Sequence, residues 1–195
     1  LMFRTLRSTY NKAITAKCAR KSDYPFDEYK INKFDTTTQK RAIAKADVLK
    51  FTTEVQPIGK QQYMELSKDI FVFSYLCGGI NFTDIANLTN ENIQNGRLHY
   101  IRQKTKKLIK IGIPQEAMQV IEKYSKESKG YLFPILDSMI HKTALQKQNR
   151  IHKILGKVNK NLKLLAANLG VEANITTYVA RHSFASVLKK SGVNI

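Results

Sequence analysis

Thr177-Tyr178-Val179-Ala180-Arg181-His182-Ser183-Phe184-Ala185 sets one arginine inside a helix-spaced apolar run whose candidate buried positions are Val179, Phe184, Val187 and Leu188. Tyr178 and Arg181 stand three residues apart and so share a face of that helix. A guanidinium held on a packed helix suits a phosphate: its planar fork gives two parallel charge-assisted hydrogen bonds and keeps its charge at any relevant pH. The same spacing also fits a surface arginine on a half-buried helix. A second group of cations, Lys104, Lys106 and Lys107, falls between two strand-like segments, where it either meets a polyanion or forms a solvated turn.

Other chemistries find no support in the residues. His99, His141, His152 and His182 lack metal-ligand spacing with carboxylates or thiols, and no glycine-rich phosphate loop occurs, so neither a metal nor a cofactor is expected. Lys and Arg number 33 against 15 Asp and Glu, a formal charge of +18 that favours nucleic acid as partner. At 195 residues and 43% hydrophobic the chain can build one main core. Cys18 and Cys77 read as reduced core thiols, which implies an intracellular compartment. No apolar run reaches the roughly 18 residues that span a bilayer. Leu1-Met2-Phe3-Arg4 lacks a signal-peptide pattern and reads as a cut into a longer chain.

The elements that must position these groups follow from periodicity. Phe3, Leu6, Tyr10, Ala13, Ile14 and Cys18 repeat at helical spacing, with Arg4, Arg7 and Lys12 on other faces, so 3–20 is a basic amphipathic helix. The pattern lapses from Lys21 to Thr38, the best candidate boundary. A strong helix over 60–77 ends at Gly78-Gly79, and a short one over 83–88 takes Thr83 as its cap. Segments 97–103 and 107–113 alternate as strands of a hairpin with Lys104-Thr105-Lys106 at its tip. Helices follow over about 115–128, 138–155, 157–169 and 176–190. The expected fold is mainly α with a small antiparallel β-hairpin or sheet.

Tyr178-Val179-Ala180-Arg181-His182 resembles the His-x-x-Arg-His box of the tyrosine recombinases, with tyrosine in place of the first histidine, a variant familiar among integrases of bacterial conjugative transposons and related mobile elements. Tyr100-Ile101-Arg102-Gln103-Lys104-Thr105 resembles the hairpin whose lysine enters that family's active site. Leu76 to Leu88 resembles the helix-break-helix that presents its first catalytic arginine, and residues 5–14 resemble the last helix of its core-binding domain. The resemblance covers nearly the whole chain, most strongly 71–105 and 176–187.

This resemblance implies the tyrosine recombinase catalytic-domain fold, with 1–22 as the last core-binding helix, 23–40 as a linker and 41–195 as a catalytic domain cut short at its C-terminus. It implies site-specific DNA cleavage and rejoining through a 3′-phosphotyrosine, without a divalent metal. Arg181 then stabilises the phosphorane charge, Lys104 protonates the departing 5′ oxygen and Tyr178 orients. Arg4, Arg7, Lys106, Lys107 and His182 contact DNA. The attacking tyrosine is expected beyond Ile195. The family's first arginine would fall at Asn81, or at Gly78 in a variant arrangement, and neither is basic. Arg102 is the expected substitute, because residues two apart in a strand share a face and Arg102 would lie beside Lys104. Asp84 matches the acidic residue found three positions after the common arginine, and either braces the site by pairing with a cation such as Arg181 or is a solvated carboxylate at a helix N-terminus.

Further implied are double-stranded attachment-site DNA as partner, a tetrameric synaptic complex for the full-length protein, and a place in the bacterial cytoplasm with the nucleoid. Two other readings stay open: a catalytically impaired, recombinase-derived DNA-binding module, and an RNA-binding protein, which accounts for the charge but not for the motifs.

Overall fold

A computed structural model of the chain describes residues 2–30, 41–53, 63–127 and 129–192. The chain divides into two compact units, Leu1–Lys40 and Arg41–Ile195. The expected linker residues 31–40 and the expected helix start at 60–62 lie outside the described residues.

In the first unit, α1 (Met2–Thr15) is the basic amphipathic helix read from the sequence, shorter by five residues at its C-terminal end. Tyr10 Oη donates to the Asp23 carbonyl at 2.8 Å and Arg7 Nε donates to Tyr24 Oη at 3.1 Å, so the chain folds back on α1. Cys18 follows the helix and is exposed, which corrects its reading as a core thiol. The helical phase simply runs out before it.

The second unit is built around α3 (Met64–Leu76), an apolar helix buried on nearly every side. It packs against α2 (Lys45–Thr53), α5 (Gln115–Tyr124), α6 (Ala144–Asn168) and α7 (Thr177–Lys190). Aromatic pairs fill the joints, Phe51 on Phe71 with ring centroids 4.8 Å apart and Phe73 on Phe133 at 5.0 Å. Buried Asp69 accepts from Lys123 Nζ at 2.6 Å and from Tyr124 Oη at 2.8 Å, locking α3 to α5 with a satisfied carboxylate. Asn161 Nδ2 donates to Ser67 Oγ at 3.2 Å, which ties α6 to α3. Cys77 is fully buried, and burial pushes its thiol up to about 12, so it stays protonated.

The sheet has three antiparallel strands in the order β1 (Ile93–Gln94), β2 (Arg97–Ile101), β3 (Leu108–Gly112). Leu98 and Tyr100 face the core opposite Ile111 and Ile109, as the alternation required. Four local expectations change. Helix α2 and strand β1 are additional, being too short to show a period. The expected pair of helices over 138–155 and 157–169 is one helix, α6, because Gly156 is accommodated within it. The short helix α4 (Phe82–Ala86) is capped by Asn81 rather than Thr83. The strands stop at Ile101 and resume at Leu108, leaving Arg102 to Lys107 as the connection.

Candidate active site

The site begins where α3 ends. Gly78 and Gly79 both take φ +71°, the left-handed region that a side chain resists, and this turns the chain sharply out of the helix. Ser74 Oγ secures the turn by donating to the Ile80 carbonyl at 2.6 Å. Asn81 then caps α4, its side-chain oxygen accepting from Asp84 N at 3.2 Å.

Helix α7 lies directly on this break. A Cβ at Gly79 would stand 2.8 Å from Arg181 Cα, so the absence of a side chain there is what lets the two segments meet. Arg181 Nη1 donates to the Gly79 carbonyl at 3.1 Å, which fixes the guanidinium while leaving its other donors for a ligand. The face of α7 turned inward carries Val179, Ala180 and Ser183; Phe184, Val187 and Leu188 are half-buried rather than core. Ser183 Oγ accepts from Ile43 N at 3.0 Å, tying the approach to α2 onto α7.

The hairpin connection comes in from the other side. Arg102 N donates to the Lys107 carbonyl at 2.9 Å and Lys106 N to the Arg102 carbonyl at 2.8 Å, with Lys106 at φ +55°. Arg102 and Lys104 are thus brought to one side by a curled turn and not, as expected, by alternation along a strand. Asp84 anchors that turn: its buried carboxylate accepts from Gln103 N at 2.9 Å and from Asn81 Nδ2 at 2.6 Å. Its partners are therefore an amide and a backbone N–H, neither the Arg181 guanidinium nor the solvent weighed from the sequence. Asp84→Ala strands Gln103 N–H in a part-buried setting, and should lower the unfolding free energy by about 2 kcal/mol in chemical denaturation. A loss under a few tenths would show that the turn does not depend on this carboxylate.

Asn81, Thr83, Arg102, Gln103, Lys104, Tyr178 and Arg181 line one cleft of about 470 Å³. All four residues singled out for chemistry therefore meet, although Lys104 and Arg181 are far apart in the chain. Arg102 is half-buried, and its Nε is buried without a partner among the described residues. Behind the cleft, burial pushes the Tyr100 phenol up to about 12; Asp84 adds to the shift, while Arg181 and Arg102 oppose it. Tyr178 is half exposed, with its ring edge-on to His182 at 4.5 Å between centroids. Lys106 and Lys107 are exposed on the turn, and Lys106 Nζ donates to Gln103 Oε1 at 3.3 Å. Arg4 and Arg7 belong to the first unit and are exposed on α1.

The two positions weighed for the missing arginine are not equivalent. Asn81 lines the cleft, whereas a side chain on Gly78 would meet Ile111 Cδ1 at 3.3 Å and Phe184. Asn81 enters the sequence reading only as the place of the missing arginine, and Thr83 and Gln103 do not enter it as cleft-lining groups. The Asn-x-x-Asp spacing of Asn81 and Asp84 was the available signal, since it is a helix-capping pattern.

A mostly helical domain that sets a helix-borne arginine beside a hairpin-borne lysine at the edge of a small antiparallel sheet has the plan of a tyrosine recombinase catalytic domain. Residues 52–195 match the family model described as the phage integrase family, and the chain belongs to that family. Among solved structures it is similar to a Tn1549 transposon integrase in complex with circular intermediate DNA, with 19% identity, a TM-score of 0.59, and coverage of 98% of this chain and 66% of that one. A substituted form of that integrase, also in complex with a circular intermediate DNA, is 18% identical with a TM-score of 0.63 over the same shares of the two chains. XerA recombinase is 12% identical with a TM-score of 0.51, over 84% of this chain and 55% of that one. The chain therefore spans just under two thirds of the integrase structures it matches. No curated protein matches the sequence. No helix among the described residues is long and apolar enough to cross a membrane.

Proposed function

We propose that this chain is the greater part of the catalytic domain, together with the last helix of a preceding DNA-binding domain, of a site-specific DNA recombinase. The observation that carries the reading is the single cleft in which Arg102, Lys104, Tyr178 and Arg181 converge. Three cationic side chains around one pocket suit a phosphodiester, whose charge grows as it becomes pentacoordinate.

In this reading a tyrosine hydroxyl, supplied by a part of the full-length protein after residue 195, attacks the phosphorus. The phenolic proton leaves to solvent as the P–O5′ bond breaks and a 3′-phosphotyrosine forms, and Lys104 delivers a proton to the departing 5′ oxygen. The free 5′ hydroxyl of another strand reverses the step, so the bond is conserved and strands are exchanged. Arg181 binds the non-bridging oxygens, and Tyr178 donates to the phosphate or orients the nucleophile. Arg4, Arg7, Lys106, Lys107 and His182 hold DNA, and four copies assemble on attachment-site duplexes in the bacterial cytoplasm.

Arg102 takes the place of the family's first arginine. Its side chain lines the cleft with Lys104 and Arg181, which sets a further cation where negative charge develops. Arg102→Ala in the full-length protein should slow cleavage of a nicked suicide duplex by roughly 100-fold. An unchanged rate sinks the substitution idea.

The identifying experiment is to incubate the full-length protein with the nicked suicide duplex, denature, and look for a covalent protein–DNA adduct. An adduct supports the enzyme. Tight duplex binding without an adduct favours a recombinase-derived DNA-binding module, the reading supported by Asn81 standing where the common motif has arginine.

A further inference from the structure

In the recombinase reading the attacking tyrosine must lose its proton, and none of the side chains lining the cleft is a base for it. Arg102, Lys104 and Arg181 are cations, Asn81, Thr83 and Gln103 carry neutral amides or a hydroxyl, and Tyr178 is itself a phenol. The Asp84 carboxylate is taken up by Gln103 N and Asn81 Nδ2. In-line displacement also sets the attacking and leaving oxygens on opposite sides of the phosphorus, so a group serving the leaving oxygen, as Lys104 does, is not placed to serve the other.

Helix α7 carries a base beside the cleft. His182 follows Tyr178 by four residues, and the two rings meet edge to face at 4.5 Å between centroids, with 88° between their planes. Successive helical residues turn by about 100°, so Arg181 flanks Tyr178 on one side and His182 flanks it on the other. The imidazole thus stands against the cleft-lining phenol on the side away from the guanidinium.

Its ring nitrogens are unspent. A histidine that serves the fold ordinarily ties a nitrogen to a partner, as His141 Nδ1 does in accepting from Asp137 N at 2.9 Å. Neither nitrogen of half-buried His182 has a hydrogen-bond partner among the described residues. The side-chain atoms buried there without a partner are His99 Nε2 and Arg102 Nε, so the His182 nitrogens are open to solvent. An imidazole takes up and gives back a proton near neutral pH, where a phenol holds its own.

We propose that His182 is the base for the attacking tyrosine. As the new O–P bond forms and the P–O5′ bond breaks, the phenolic proton passes to a His182 ring nitrogen before it reaches solvent, and Lys104 gives a proton to the 5′ oxygen. In rejoining, the attacking 5′ hydroxyl returns a proton to Lys104 and the imidazolium returns one to the departing tyrosine oxygen, so protons balance over the cycle. The inference rests on the recombinase reading and deepens it by naming the first proton acceptor.

The test is single-turnover cleavage of the nicked suicide duplex by the full-length protein at saturating DNA, where a weaker hold on DNA does not show. His182→Ala should slow cleavage by about 100-fold, and added imidazole should restore part of the rate. His182→Gln should be slowed as much, because an amide keeps polar reach but takes no proton. Sulfur at the bridging 5′ position makes a leaving group that needs no proton, so that duplex should restore Lys104→Ala and not His182→Ala. Suppose the wild type forms the covalent adduct, but either His182 variant matches its rate, or imidazole leaves His182→Ala where it was, or the sulfur duplex restores it. Then His182 is not the base, and the recombinase reading stands. If the wild type forms no adduct, both fall together.

Discussion

Arg181→Ala in the full-length protein should reduce covalent adduct formation by roughly 1000-fold, while the fold survives. The magnitude follows from what the guanidinium can give a phosphate that its neighbours cannot: a rigid fork in a part-buried site, already held by the Gly79 carbonyl, that needs no reorganisation as charge develops. The structural cost is the single hydrogen bond to Gly79, about 1 kcal/mol, or a few degrees of melting temperature for a domain of this size. Arg181→Lys should recover little, because a point charge on a flexible stem replaces neither the fork nor its anchor. Single-turnover cleavage beside thermal melting checks both halves. A tenfold loss or less, with melting unchanged, would remove Arg181 from the phosphate.

The second large effect is on assembly of the site. Gly79→Ala meets two penalties at once, a backbone at φ +71° and a Cβ 2.8 Å from Arg181 Cα. The left-handed backbone costs roughly 1–2 kcal/mol for a residue with a side chain. The overlap adds roughly 1–3 kcal/mol, because the opposing atom is main chain and gives way only if α7 moves. A total loss of about 3 kcal/mol is expected in chemical denaturation, with cleavage reduced as Arg181 is displaced. Gly78→Ala is the control. Its φ is the same, but its Cβ would meet only side-chain ends, Ile111 Cδ1 at 3.3 Å and Phe184 at 3.9 Å, so the loss should stay near the backbone penalty alone. Equal losses for the two variants would mean that the contact between the helix break and α7 does not hold the site together.

The parts of this fold that were legible in the sequence are those whose signal is local and repeated. The period in 64–76, the alternation of Ile109 and Ile111, and the apolar spacing after Thr176 each span several turns or residue pairs, so each specifies an element by itself. The three-residue spacing of Tyr178 and Arg181 likewise put both on one helix face before any packing was known. Short pieces carried no such signal. Nine-residue α2 and two-residue β1 owe their form to what they touch. Gly156 suggested a break in the sequence, yet α6 continues through it, because packing on α3 by Ile154, Val158 and Leu162 outweighs one exposed glycine.

What the sequence by itself determined was a helical domain with one hairpin, its basic character, and the residue types able to hold a phosphate. Tertiary structure alone decided how those residues meet. Arg102 and Lys104 share the cleft because a left-handed residue at 106 curls the turn, and because Asp84 holds that turn from a different helix. Asp84 spends its carboxylate on Asn81 and Gln103 and leaves Arg181 to the cleft, a choice among partners that no spacing encodes. The distinction is physical. Periodicity is fixed by bond geometry along a few residues, whereas the meeting of Gly79 with Arg181, or of Gln103 with Asp84, depends on which surfaces the whole core brings into contact.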